Sequence, residues 1–191
     1  RPDYVKDIEE GDNSTTSTKL ASGLYWLHIR TRDNAGNWNL TAFHVGPFMI
    51  DVDAPSSVPA TDEENLTGSP VLKWAWPPAA DTHSGLAGYL VTIGTTPDGN
   101  DVVDGLFTAN ETYELDNATD GNFYYLRVRA VDNTGNVGDF GPSSDGILVD
   151  LSAPHDLTIR INGGANYTNT TKVTLGLGMK EKFSGFGGMR F

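Results

Sequence analysis

The sequence contains no cysteine, which excludes disulfide bonds, thiolate zinc sites, iron–sulfur clusters and cysteine nucleophiles. It also lacks any apolar run approaching the roughly 18 residues that a membrane-spanning helix needs. Basic residues are scarce, because 13 Lys and Arg stand against 25 Asp and Glu and give a net charge of −12. Since nucleic-acid phosphates are bound by basic surfaces, this balance argues against a nucleic-acid partner.

Helical periodicity is nearly absent as well. Short runs of alternating apolar and polar residues occur instead, separated by clusters of Gly, Asn, Asp and Pro. In the clearest run, Tyr124, Leu126 and Val128 would share one face of a strand, with Tyr125 and Arg127 on the other. Short strands separated by turn residues predict an all-β fold built from β-sandwiches.

The chain repeats itself at a spacing of 99 residues. Segment 25–37 recurs as 124–136, and segment 50–55 recurs as 149–154. Near the C-terminus the spacing becomes 100, so that segment 84–91 corresponds to 184–191. A repeat of about 100 residues equals one sandwich domain. The repeat predicts three units: the C-terminal half of a sandwich over 1–54, a complete sandwich over 55–153 and the N-terminal half of another over 154–191.

The central unit resembles a fibronectin type III domain and, equally, the Ig-like repeats of prokaryotic surface proteins. The residues that carry the resemblance are Leu72, Trp74, Pro77, Gly88, Tyr89, Val91, Tyr124, Leu126, Val128, Ala130, Asp132 and Gly135. The resemblance implies that Trp74 is the core aromatic residue and that Tyr124 is the corner tyrosine. It implies a fold and no function, because the fold serves adhesion, spacing and structural roles alike.

The two outer halves together supply most strands of one sandwich, and each alone would leave an open sheet edge and half a core in water. Two explanations stay open. The sequence is a slice of a longer tandem array, or the C-terminal half of one chain completes the N-terminal half of the next. The second explanation assigns this role to Leu157, Ile159, Ile161, Val173, Leu175 and Leu177. Such a head-to-tail contact does not close, so it builds a filament of neighbouring copies by strand addition.

The segments that join the units lack flexible linkers. Segments 48–55 and 147–154 run from the last strand of one unit into the next without a Gly/Ser-rich stretch. A flexible spacer has a different composition, so these joints predict a stiff rod.

Seven Asn-x-Thr sequons occur in the chain, at Asn13, Asn39, Asn65, Asn110, Asn117, Asn166 and Asn169. With 14 Asn and 31 Ser plus Thr in 191 residues, chance predicts about two. We therefore expect covalent N-linked glycans and an extracellular or cell-surface location. Because the chain lacks cysteine, a prokaryotic surface is favoured over a eukaryotic one.

Structural calcium is a further hypothesis. The two Asp-Asn-x-Gly-Asn segments, 33–37 and 132–136, have the composition of turns, and their oxygen atoms are also of the type that calcium binds. Resemblance to Ig-like repeats of large surface adhesins implies calcium at domain joints. The candidate ligands are Asp33, Asp51, Asp53, Asp132 and Asp150. We expect Asp33 to meet Asp51 and Asp132 to meet Asp150, although Ser152 replaces Asp53 at the second joint.

No sequence pattern indicates catalysis. The four histidines, His28, His44, His83 and His155, fall in unrelated contexts and no pair has metal-ligand spacing. Segment 81–84 contains residue types found in hydrolases, but adjacency in a loop is not a catalytic triad.

The sequence therefore predicts a non-enzymatic structural subunit or segment of an extracellular, glycosylated fibre or surface stalk. The alternative is a set of accessory spacer domains in a larger secreted enzyme, such as a glycoside hydrolase or a protease. An adhesin stalk whose binding tip lies elsewhere is a further alternative. In both of these cases the chemistry lies outside these residues.

Overall fold

The computed structural model describes residues 14–190, and its regular structure is almost entirely β. Among these residues the only helical element is a single 3₁₀ turn, Asn162–Gly164. The first six strands are β1 (Gly23–Ile29), β2 (Phe43–Ile50), β3 (Thr61–Asp62), β4 (Leu66–Thr67), β5 (Leu72–Ala75) and β6 (Leu86–Gly94). The other six are β7 (Val103–Thr108), β8 (Thr112–Leu115), β9 (Phe123–Asp132), β10 (Ile147–Val149), β11 (His155–Ile161) and β12 (Leu175–Lys180). The predicted all-β class is confirmed.

Strands β3 to β10 form a sandwich of two sheets, here called the central domain. One sheet has the order β3-β5-β8, and the other has the order β4-β10-β9-β6-β7. Neighbouring strands are antiparallel except β4 and β10, which are parallel. Along the chain, the central domain follows β2 and precedes β11.

The core of the central domain lies between these two sheets. Along β9 every second residue is buried, and Leu126 and Val128 are completely inaccessible to solvent. Trp74 on β5 is also buried, and its Nε1–H donates to Ser144 Oγ at 3.2 Å. The alternating face of β9 and the role of Trp74 as the core aromatic residue are both as the sequence predicts.

Tyr124 closes one corner of the domain. Its hydroxyl accepts a hydrogen bond from the Thr119 amide at 2.9 Å, five residues upstream, while its ring is buried. A tyrosine that fixes the approach to the penultimate strand in this way is a feature of Ig-like sandwiches. The expectation of a corner tyrosine at this position is confirmed.

Strands β1 and β2 form an antiparallel hairpin that copies the pairing of β9 with β10. Tyr25 lies opposite Phe48, just as Tyr124 lies opposite Ile147, and both residues differ by 99 between the two pairs. The first hairpin therefore corresponds in register to the penultimate and last strands of the central domain.

Strands β11 and β12 form a second hairpin that copies the pairing of β3 with β5. Ile161 lies opposite Leu175, just as Asp62 lies opposite Trp74. The counterpart spacing is 99 residues for β11 and 101 for β12, because the second hairpin has a longer loop. This hairpin therefore corresponds to β3 and β5 of the central domain.

Candidate functional site

Joint 1 is the segment 51–55 between β2 and the central domain, together with loop 81–85 and turn 132–136, which it contacts. Asp51 is only 8% exposed, and its Oδ2 accepts a hydrogen bond from the Ser84 amide at 2.9 Å. Its Oδ1 accepts from the Asp53 amide at 3.2 Å. One carboxylate thus binds the backbone on both sides of the joint, which holds the connecting segment against the domain that follows.

Turn 132–136 forms the second wall of joint 1. Asp132 is 1% exposed, and its Oδ1 accepts from the amides of Thr134 and Asn136, each at 2.8 Å. The Asn136 side-chain amide donates to Asp132 Oδ2 at 2.7 Å and also faces the carbonyl oxygens of Asp51 and Asp53, at 3.3 and 3.2 Å. Asn136 therefore connects the turn to the incoming segment.

Turn 33–37 repeats this arrangement in the first hairpin. Asp33 Oδ1 accepts from the amides of Ala35 and Asn37, at 3.0 and 2.8 Å, and Oδ2 accepts from the Asn37 side chain at 2.9 Å. Gly36 has a φ of +93°, and its counterpart Gly135 has +91°, a region that favours glycine. Both Asp-Asn-x-Gly-Asn segments are therefore turns.

These hydrogen bonds shift the acidity of three carboxyl groups. The side-chain hydrogen bond of Asn37 lowers the pKa of Asp33, and hydrogen bonding by Ser84 lowers the pKa of Asp51. Burial acts to raise the pKa of Asp132, but hydrogen bonds from Asn136 and Thr134 outweigh it and leave that pKa lowered. All three groups are therefore anionic at neutral pH.

Oxygen atoms converge at joint 1 in a way that a hard cation prefers. Carboxylate oxygens of Asp51, Asp81 and Asp132 lie within 4.8 Å of one another, and so do single ligand atoms of Asp51, Asp53 and His83. Three of the five aspartates that the sequence proposes for calcium are thus found here. Sequence reasoning did not identify Asp81 and His83 as neighbours of Asp51, although both lie just before the repeated Ser-Gly pair. Calcium at this joint stays a prediction.

The expected pairing of the other aspartates is wrong. Among the described residues, neither Asp33 nor Asp150 belongs to a group that brings three ligand atoms together. Strands β1 and β2 are antiparallel, so Asp33 beyond the end of β1 and Asp51 beyond the end of β2 lie at opposite ends of the hairpin. The same argument separates Asp132 from Asp150. Asp132 instead meets Asp51, which comes from the preceding unit.

Joint 2 is the segment 150–154 between β10 and β11, together with loop 181–185. Asp150 Oδ2 accepts from the Ser184 amide at 3.1 Å, and Asp150 Oδ1 accepts from the Ser152 amide at 3.1 Å. These are the contacts of Asp51 in joint 1. Asp120 adds a second clamp, because its two oxygens accept from the Leu151 amide at 2.7 Å and the Ser152 hydroxyl at 2.6 Å. In both joints, an aspartate that follows a strand accepts hydrogen bonds from the connecting segment and from the loop of the next unit.

The apolar faces of the two hairpins lie in solvent. The N-terminal apolar face consists of Tyr25, Leu27, Ile29, Val45 and Phe48, of which all but Tyr25 are exposed. The C-terminal apolar face consists of Leu157, Ile159, Ile161, Val173, Leu175 and Leu177, all exposed. Isolated two-stranded hairpins with such faces need a further sheet to cover them.

The sequon asparagines that the structure describes are all exposed, which a bulky glycan requires. They are Asn39, Asn65, Asn110, Asn117, Asn166 and Asn169. Asn13 lies outside the described residues. Glycosylation stays a prediction at all seven positions.

The histidines are not as scattered as the sequence suggests. His83 lies at joint 1, where its Nδ1 is 3.7 Å from Asp53 Oδ2, and His155 begins β11. His28 and His44, however, face each other across the first hairpin. Their 16-residue separation carries no sequence signal, because cross-strand pairing depends on the register of the hairpin.

No protein-family model matches the sequence, and no curated protein sequence matches it. Among solved structures it is similar to the FN1–FN3 domains of chicken CNTN1, at 18% identity over 54% of this chain and 36% of that one, with a TM-score of 0.41. A Fn3-like protein from Clostridium thermocellum matches at 17% identity over 50% of this chain and 90% of its own, with a TM-score of 0.34.

An alpha-L-rhamnosidase from Dictyoglumus thermophilum matches at 10% identity over 57% of this chain and 15% of its own, with a TM-score of 0.37. The structures that the chain resembles are thus mainly fibronectin type III and Ig-like domain proteins, as its sequence predicts. Its assignment as a sandwich rests on its own strand order. None of the helices that the structure describes has the length and apolar character needed to cross a membrane.

Proposed function

We propose that the chain is a non-catalytic structural segment of an extracellular, glycosylated fibre or surface stalk, and that neighbouring copies complete its two hairpins. The observation that carries the proposal is the exposure of both apolar faces, because most of their counterparts are buried in the core of the central domain. The exposed sequons support an extracellular location, since each described one has room for a glycan.

The strand order of the central domain defines what each hairpin lacks. There β9 pairs with β6 as well as with β10, so the corresponding free edge of the first hairpin is that of β1. The counterpart of β6, 100 residues on, is the segment 186–190. Tyr89 lies opposite Ala130 in the central domain. In the completed sandwich, Met189 of one copy therefore lies opposite Thr31 of the next.

This contact joins the C-terminal part of one copy to the N-terminal part of another. Because two different surfaces meet, the interaction is heterologous and leaves a free surface at each end, so it propagates. Main-chain hydrogen bonds of the added strand and burial of both apolar faces supply the affinity. The hydrogen bonds at the joints then restrict rotation of one sandwich relative to the next, which favours a stiff fibre.

Electron microscopy of the native material, with an intact-mass measurement of its subunit, tests the proposal. We expect filaments with an axial repeat of two sandwich lengths and a subunit whose mass exceeds that of its polypeptide by glycan increments. Isolated particles of a much longer chain would overturn completion by other copies. The hairpins would then be covered by domains of the same chain, and a spacer of a larger secreted enzyme or adhesin would be favoured. An unmodified subunit mass would overturn glycosylation.

A further inference from the structure

Two imidazole rings lie side by side on the first hairpin. His28 on β1 and His44 on β2 are directly opposite in the strand register, and their Nδ1 atoms are in hydrogen-bond contact. The ring centroids are 4.6 Å apart, and the ring planes are inclined at 76°. The Nδ1 atoms of the two rings, which can bind an ion or share a proton, therefore point toward each other.

The pair lies on the face of the hairpin opposite its apolar face. Leu27 and Val45, the next residue pair along the strands, belong to the N-terminal apolar face, and successive side chains of a strand alternate between faces. Both histidines are exposed. A second sheet that covers the apolar face would leave the two rings in solvent.

The chemistry of the contact points to a cation. An imidazole ring binds a metal through a nitrogen that carries no proton, and here one Nδ1 must donate its hydrogen to the other. When the donating ring moves its proton from Nδ1 to Nε2, both Nδ1 lone pairs face each other, and a cation between them replaces the shared hydrogen. No proton is gained or lost by two neutral rings in this exchange.

We propose that His28 and His44 form a two-imidazole site for a divalent transition-metal ion of the zinc class. Zinc binds imidazole nitrogen at about 2.0–2.1 Å, and water molecules take the remaining coordination positions. Imidazole suits zinc, copper and nickel, whereas calcium and magnesium prefer oxygen ligands. The site is therefore chemically distinct from the carboxylate cluster of joint 1.

The guanidinium of Arg30, on the same hairpin as the two histidines, makes its contacts with other residues. Arg30, two residues further along β1, donates through Nε and Nη2 to the carbonyl oxygen of Asn39, at 3.1 and 2.6 Å. Its guanidinium also lies 5.8 Å from the centroid of the Trp38 ring. These contacts direct the guanidinium toward the loop between the strands.

Isothermal titration with zinc chloride tests the site in the intact chain. We expect one zinc ion per chain, with affinity weakened roughly tenfold or more in His28→Asn and in His44→Asn. His155→Asn is the matched control and should leave the affinity unchanged, because His155 begins β11 and belongs to neither group of possible metal ligands among the described residues. Absence of zinc binding, unchanged binding in His28→Asn, or binding lost only in His155→Asn would each overturn the proposal.

A second readout reports the ligand atoms directly. In ¹⁵N spectra of the histidine side chains, zinc should shift the Nδ1 resonances of His28 and His44 and leave the proton on Nε2. Calcium chloride at the same concentration should not shift them. The affinity should weaken as the pH is lowered, because protons compete with zinc for the same nitrogen atoms. Unshifted resonances at saturating zinc would refute the assignment.

Discussion

Leu126 of the central domain is fully buried, whereas Leu27, its counterpart 99 residues earlier, is 47% exposed. Ala60 on the edge of the central core is 5% exposed, and its counterpart Ile159 is 69% exposed. The strand registers around these residues are the same in both regions. Strand pairing within a hairpin determines which residues share a face. That face is buried only where a second sheet packs against it.

The difference has an energetic consequence. Burying a large aliphatic side chain contributes roughly 1.5–3 kcal/mol relative to leaving it in water. The central domain gains this stabilisation for its buried aliphatic residues, while the hairpins leave two apolar faces exposed to water and do not gain it. Completion by a neighbour would therefore yield a sandwich held together by the same forces as the central domain.

The largest expected effect comes from charging the C-terminal apolar face. The double substitution Val173→Asp, Leu175→Asp should abolish assembly, because two carboxylates would have to be buried against the N-terminal apolar face of the next copy. Sedimentation velocity should show monomers only, with the melting temperature of the central domain unchanged. Thr174→Asp, on the opposite face of the chain, is the matched control and should still assemble. Intact filaments in the double variant would refute strand exchange.

A truncation at equivalent leucines compares the two regions directly. Leu126→Ala should reduce the free energy of unfolding by about 2–5 kcal/mol, since it leaves a cavity in the core. Leu27→Ala should change it by no more than about 0.5 kcal/mol in the dilute monomer, as for other exposed residues. Urea unfolding followed by circular dichroism measures both. Equal losses in the monomer would show that the first hairpin is already covered.

Joint 1 should respond to acid. Its hydrogen bonds lower the pKa of Asp51 and of Asp132 in the folded protein. A lowered pKa stabilises the fold above the unfolded value, about 3.9, and this contribution is lost as the pH falls through the folded pKa. The melting temperature should therefore decrease as the pH is lowered below about 4. In Asp51→Asn it should decrease less steeply. The control Asp104→Asn removes a charge outside the joint, and an identical slope in all three proteins would contradict this account.

Calcium should have the smallest effect, confined to joint 1. If the carboxylates of Asp51, Asp81 and Asp132 bind the ion, calcium raises the melting temperature of the chain and EDTA reverses the change. Asp81→Asn should remove the response, whereas Asp150→Asn at joint 2 should retain it. A melting temperature that is indifferent to both calcium and EDTA would remove the calcium hypothesis.

Much of this architecture could be predicted from the sequence. Alternation along β9 and the 99-residue repeat specify the strand faces, the core position of Trp74 and the corner role of Tyr124, because each depends on local periodicity or on the resemblance of one domain. The composition of segment 132–136 likewise predicts a turn.

The parts that could not be predicted depend on which ends of strands meet. Antiparallel pairing separates Asp132 from Asp150 and brings it to Asp51, a residue 81 positions earlier in the chain. The facing of His28 and His44 depends on an irregularity between Tyr25 and Leu27, which shifts the register of the hairpin by one residue. Neither juxtaposition leaves a spacing signal in the sequence.

The most direct test of strand completion uses the absence of native cysteine. In the double variant Thr31→Cys, Met189→Cys, every disulfide forms between introduced residues, and strand completion places these two opposite each other across two copies. A non-reducing gel should then show a ladder of covalent oligomers, whereas each single variant should form covalent dimers at most. The pair Thr31→Cys, Phe186→Cys is the control, because three residues of strand displace the second thiol by about 10 Å, beyond disulfide reach. Monomers alone in the first variant, or equal ladders in both, would contradict the account.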